Sequence, residues 1–222
     1  MAKILIIATH PDDETLGCGG TILKHKAVGD TVHWLIVTSI KEESGFAASV
    51  VEARQQEIKT VSSMYGFDGV YDLDFSTMQL DDIPFAKLIG IISDVVGQVE
   101  PDIVYLPFIS DVHTDHQIAF KAAYSCTKSF RYPSIKKIVM METLSETEFA
   151  PSTKEDSFIP NMFVDITRFI DHKIDIMKHY KNEIGQPPFP RSERNIRALA
   201  TFRGATAGCE YAESFMILKE IN

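Results

Sequence analysis

Two short segments of the 222-residue chain concentrate histidines and carboxylates: His10-Pro-Asp12-Asp13-Glu14 and Asp111-Val-His113-Thr-Asp115-His116. Together they suit a divalent metal. Three protein ligands of histidine and carboxylate type, with one position left for water, is the pattern of catalytic zinc. His10 and Asp13 lie three apart across a turn that Pro11 stiffens, so both can face one ion. His113 and His116 are also three apart, and in the first turn of a helix they share a face. Spacing leaves open which of those two would bind.

A plainer account makes His10 the end of a turn and the carboxylates helix N-terminal charges favoured by the dipole. It serves either cluster alone and serves the two together poorly. Gly17-Cys-Gly-Gly20 hints at a phosphate-binding turn, but its spacing fits neither G-x-G-x-x-G nor the P-loop. These glycines are read instead as letting a helix pack close to the first strand and leave room at the metal. Cys18 is a candidate nucleophile but is better read as a small buried residue. Arg54 and Glu57 read as a solvated helix face.

The elements that must position these clusters alternate regularly. Strands are predicted at Lys3–Thr9, Thr31–Ser39, Val70–Phe75 and Asp102–Pro107, and helices at Thr15–Val28, Ala47–Tyr65, Ile83–Val99 and from near His113. Continuous apolar strands separated by helices imply an α/β, Rossmann-like, mostly parallel sheet with helices on both faces. In a 3-2-1-4-5 strand order the first and fourth strands are neighbours, and ligands bind in the crevice between their carboxyl ends. Each cluster follows one of those strands. Further strands are predicted at Lys136–Glu142 and Asn161–Ile166, and helices at Thr167–Tyr180 and Ser192–Thr206. Ser145–Pro160 is a polar loop, Gly185–Pro190 an irregular turn, and the remainder a tail. No repeat or linker divides the chain, so one domain over residues 1–222 is expected.

A net charge of −9 with no Lys/Arg run argues against nucleic acid or an anionic membrane as the main partner. Three cysteines without a C-x-x-C pair make neither a disulfide framework nor a cysteine zinc knuckle. The apolar run at the N-terminus is too short for a signal peptide or a membrane span, and a cytoplasmic location is expected.

The motif Ala8-Thr-His-Pro-Asp-Asp-Glu14, with His113-Thr-Asp115-His116 far downstream, resembles the A-H-P-D-D-E and H-x-D-H motifs of the PIG-L/LmbE-like zinc deacetylases. A third patch, Arg203-Gly204 through Gly208 to Tyr211-Ala-Glu213-Ser-Phe, is similar to the R-G…G-x-x-Y-A-E-x-F tail of bacterial members, so the resemblance spans the chain. It implies removal of an N-acetyl group from a small-molecule N-acetylated amino sugar: an N-acetylglucosamine-type sugar, glycoside, conjugate, chitin fragment or sugar nucleotide. It implies His10, Asp13 and His116 as ligands of Zn2+, although the same donors accept Fe2+ or Co2+. Asp12 would be the general base, and His113, preferably as imidazolium, would stabilise the tetrahedral intermediate. Asp115 would orient a histidine from behind. Arg54 would contact substrate, and Glu213 would approach the site. Members often assemble, so a homo-oligomer is compatible. One position departs from the pattern, because Thr77 stands about where many members carry a sugar-holding aspartate. Two other readings are a two-metal phosphoesterase and a non-catalytic Rossmann-like ligand-binding or metal-sensing domain.

Overall fold

Ile4 to Ala8 form a strand with no exposed side chain, and the alternation along it feeds two separate cores. Ile4, Ile6 and Ala8 pack on one face of the sheet, Leu5 and Ile7 on the other. A strand buried on both faces needs helices on both, and the chain supplies them in the βα rhythm read from the sequence.

A computed structural model describes residues 1–222. In chain order the elements are β1 (Lys3–Ala8), α1 (Asp13–Ala27), β2 (Thr31–Ser39), α2 (Ala48–Tyr65), β3 (Gly69–Ser76), α3 (Phe85–Val99), β4 (Ile103–Leu106), α4 (Thr114–Ser125), β5 (Lys137–Met141), β6 (Met162–Asp165), α5 (Ile170–Met177), α6 (Glu193–Ala207) and β7 (Ala212–Glu220). The sheet runs β3-β2-β1-β4-β5-β7-β6. Its first five members are parallel, while β7 is antiparallel to both β5 and β6. Helices α1, α2, α5 and α6 cover one face; α3 and α4 cover the other. No helix is long and apolar enough to cross a membrane.

The expected α/β class and the 3-2-1-4-5 order are what the chain adopts. The predicted tail is instead β7, inserted between β5 and β6. Its pairing partners lie far upstream, so no local pattern announces them. Helix α1 begins at Asp13, two residues before the predicted start, which places Asp13 and Glu14 in its first turn and leaves Asp12 at the N-cap.

The glycines of α1 do admit close neighbours, but these are not β1. A Cβ at Gly17 would lie 2.9 Å from Met141 Cβ, and one at Gly20 would lie 2.7 Å from Ile166 Cγ2. The metal-side role expected of them is therefore wrong. The helix breaks at Cys18 (φ −148°, ψ 23°), which is fully buried, with its thiol pushed up in pKa by that burial. A small buried residue, not a nucleophile, is what Cys18 is.

Beside that break the tail motif acts as scaffold. Glu213 accepts from the Gly20 amide (2.8 Å), the Thr21 amide (2.7 Å) and Lys173 Nζ (2.7 Å), while Lys173 also donates to Leu16 O at 2.9 Å. Arg203 grips Glu142, and Gly208 ends α6 in the left-handed conformation. Gly204 lets α6 meet the turn that follows it, since a Cβ there would come 2.6 Å from Glu210 O. Gly204→Ala is therefore expected to destabilise by about 1–3 kcal/mol, because backbone and not a pliable side chain would have to move. Chemical denaturation reads this directly, and an unchanged midpoint would refute it.

Candidate metal centre and cleft

The carboxyl ends of β1 and β4 lie side by side, because β1 pairs with β4 on one edge and with β2 on the other. From the end of β1 the chain turns through Pro11 and Asp12 into α1. From the end of β4 it loops to His113, the N-cap of α4. The two clusters therefore meet across the strand-order reversal.

Three donor atoms converge there. His116 Nε2 lies 3.2 Å from His10 Nδ1 and 3.2 Å from Asp13 Oδ2, and His10 Nδ1 lies 3.7 Å from Asp13 Oδ2. Ligands bonded to zinc at about 2.0–2.1 Å in a tetrahedron stand about 3.3 Å apart, so this triangle fits one such ion. The opposite ring nitrogens are held by carboxylates. His116 Nδ1 meets Asp111 Oδ2 at 2.9 Å, and His10 Nε2 meets Asp115 Oδ2 at 3.3 Å. Asp111 accepts from Thr147 Oγ1 (2.7 Å), and Asp115 accepts from the Met78 amide (2.6 Å). Carboxylates behind ligating histidines fix ring orientation and tautomer. Asp115 thus backs His10, and Asp111, which the sequence reading placed in the cluster without a role, backs His116.

Electrostatics follow from that crowding. Burial by itself would lower the His116 pKa, but the carboxylates of Asp13 and Asp111 outweigh it and raise it well above the usual histidine range. Burial pushes Asp13 up, yet His116 and His10 reverse this and hold it below the ordinary carboxylate value. Without a metal, a proton on His116 balances the buried acids.

Asp12 is a non-glycine residue at φ 131°, a conformation that stores about 1–3 kcal/mol of strain. Its amide donates to Glu14 Oε2 at 3.0 Å, and its Oδ2 lies 3.6 Å from Arg191 Nη1. Burial, then the charges of Asp13 and Glu183, push its pKa well up against the opposing arginines. His113 lines the cleft next to it, with its ring 4.6 Å from that of His10. His113 Nδ1 accepts the Asp115 amide at 3.1 Å, which assigns its proton to Nε2. Burial and the neighbouring histidines lower its pKa, which disfavours the imidazolium expected from the sequence.

Two other expectations change. Arg54 is no solvated face: it is 8% exposed, because the segment after α5 folds over it. Its Nη1 donates to Pro11 O (2.9 Å), its Nε lies 3.1 Å from Glu57, and its Nη2 pairs with Glu183. All three nitrogens are engaged, although the residue still borders the cleft. Glu213 does not reach the cleft at all, being committed to α1.

The cleft is about 330 Å³, and only three of its fifteen lining residues are hydrophobic, which suits a hydroxyl-rich ligand. Thr77 is on its wall. So are Glu146, Glu183 and Arg191, none of which the sequence reading singled out. They come from irregular segments after β5 and α5 and carry no spacing signal. Burial pushes the Glu146 pKa up to about 7.

A second donor group, His10 with His113 and Asp115, shares His10 with the first. Two ions at once would demand both nitrogens of that ring, one of which faces Asp115.

Comparison with known proteins places this geometry among relatives. Diacetylchitobiose deacetylase of Thermococcus kodakarensis is 25% identical over 229 residues, covering 99% of this chain and 84% of the relative. Among solved structures, N,N'-diacetylchitobiose deacetylase of Pyrococcus horikoshii superposes with a TM-score of 0.79 at 22% identity, covering 98% of this chain and 84% of that one. The 4-carboxy-2-hydroxymuconate hydratase of Pseudomonas putida KT2440 superposes at 0.76 with 20% identity, covering 100% of this chain and 98% of that one. A fold shared with a hydratase does not by itself choose a reaction. The PIG-L family model, GlcNAc-PI de-N-acetylase, matches residues 5–127, which carry both lips of the cleft. The match spans more than half of the chain, which belongs to the PIG-L family.

Proposed function

We propose that this protein is a metal-dependent N-deacetylase that hydrolyses the acetamide of an N-acetylated amino sugar. In this reading His10, Asp13 and His116 hold one zinc ion, and Asp12 is the general base. The observation that carries it is the donor triangle of 3.2, 3.2 and 3.7 Å with the buried, strained Asp12 beside it. A bound ion of this kind supplies a Lewis acid and a water whose pKa falls from about 15.7 to about 7.

The chain's own groups do the rest. Asp12 takes the proton of the attacking water, and its environment moves its pKa toward the working pH, where a base is most effective. His113, neutral and protonated on Nε2, donates to the carbonyl oxygen as that oxygen gains charge. A single such donor contributes about 3–4 kcal/mol. The proton held by Asp12 then passes to the nitrogen as the C–N bond breaks, leaving acetate and a free amine. The polar cleft and the diacetylchitobiose named for the Thermococcus relative both favour a sugar as the amide's carrier. A two-metal phosphoesterase is disfavoured by the sharing of His10.

The test is an acetate-release screen across N-acetylated sugars, chito-oligosaccharides and sugar nucleotides, with metal measured on the same sample. One equivalent of metal per chain and acetate from at least one sugar are expected. No acetate from any of them after zinc loading would overturn the assignment.

A further inference from the structure

The strained peptide between Pro11 and Asp12 is gripped from the second half of the chain, and the grip converges on one residue. Glu183 Oε2 accepts from Arg191 Nη2 at 2.8 Å, and its Oε1 pairs with Arg54 Nη2. Each arginine then reaches a different part of the same dipeptide. Arg54 donates to Pro11 O at 2.9 Å, and Arg191 Nη1 faces Asp12 Oδ2 at 3.6 Å. On the third side, Glu14 accepts the Asp12 amide and is itself held by Tyr180 Oη at 2.9 Å. The Arg54 guanidinium lies 5.7 Å over that Tyr180 ring, and Arg191 lies 5.3 Å over Phe189.

We infer that Glu183 is a positioning residue for Asp12, acting through Arg191 and Arg54. A non-glycine residue at φ 131° persists only where its surroundings over-determine it. Here the Pro11 carbonyl and the Asp12 amide and carboxylate are each held by a separate contact. Without Glu183, two guanidiniums lose the carboxylate that sets their spacing. Arg191 would then turn toward Ser145 Oγ, to which its Nη1 already donates at 3.3 Å, and Asp12 would lose its facing charge. Glu183, Arg191 and Tyr180 lie outside residues 5–127 while Arg54 and Glu14 lie inside, so the device is completed by the part of the chain that the family model does not match.

The inference rests on Asp12 being the base, and its test separates the two ideas. Glu183→Ala, Glu183→Gln and Arg191→Lys are compared with the unsubstituted, metal-loaded protein. The alanine variant is expected to lose about 100-fold in kcat, the scale of an ångström-sized misplacement, with KM changed less than about twofold and one metal retained. Glu183→Gln should recover part of that loss, since its amide oxygen still accepts from one arginine, and Arg191→Lys should fall between. Full kcat in the alanine variant, or a raised KM at unchanged kcat, would overturn the positioning role. If the unsubstituted protein releases no acetate, the functional reading fails and a crystal structure of Glu183→Ala still decides this one. A displaced Asp12 carboxylate supports it, and an unmoved one refutes it.

Discussion

Asp12→Asn is expected to keep its metal and lose about 10²–10⁴ in kcat, the usual contribution of a positioned general base. Asparagine tolerates positive φ nearly as well as aspartate, so the backbone at φ 131° survives the exchange. Its amide removes the carboxylate that faces Arg191 and cannot accept the proton of water. The donor triangle does not include Asp12, so metal content should stay at one per chain. Asp12→Ala should lose comparable activity. Asp12→Gly relieves the strain and should raise the denaturation midpoint while abolishing turnover. Metal analysis beside acetate-release kinetics checks all three, and a fully active asparagine variant would remove Asp12 from the chemistry.

His116→Ala is expected to lose metal and activity together. Two donors remain, and the buried carboxylates of Asp111 and Asp13 lose the ring that stood between them. The same residue predicts a pH dependence. In the metal-free protein the folded-state pKa of His116 lies above the unfolded value of about 6.5. That group's contribution to stability is thus fully present below about pH 6.5 and is lost as pH rises through the folded pKa. Metal binding needs the neutral ring and strengthens in the same direction. The difference in Tm between metal-loaded and metal-free protein should therefore widen above about pH 6.5. Asp111→Asn should weaken metal affinity about 10–100-fold, as loss of a carboxylate behind a ligating histidine does. A Tm gap independent of pH would contradict the arrangement of His116 between two acids.

Much of the frame was readable without coordinates. Thr31–Ser39 is a strand over the residues predicted, because a continuous apolar run is bounded by Asp30 before it and Lys41 just after. The βα alternation implied a doubly wound sheet, and that order alone brings the end of β1 beside the end of β4. Strand β7 was missed, since the residues that make it a strand are its partners Met140, Met141 and Phe163, not its own pattern.

For the site, the division runs along sequence distance. His10, Asp12 and Asp13 share one turn, and His113, Asp115 and His116 another, so chain geometry within a turn already constrains which side chains can face together. The sequence by itself therefore determined the two clusters, the class of sheet that juxtaposes them, and a metal as their natural occupant. Only the tertiary structure decided that Asp111 backs His116, that Asp115 backs His10, that His113 Nδ1 accepts the Asp115 amide, and that Glu213 serves the scaffold. It also brought Glu183, Glu146 and Arg191 to the cleft. Glu183 and Arg191 sit on an irregular segment after α5 that packs on Arg54 and Glu57 of α2, and Glu146 sits on one after β5. Contacts of that kind depend on the whole fold being assembled, and no short-range periodicity encodes them. The half of the site that groups the candidate metal donors is local chemistry. The half that holds Asp12 in its strained conformation belongs to the fold.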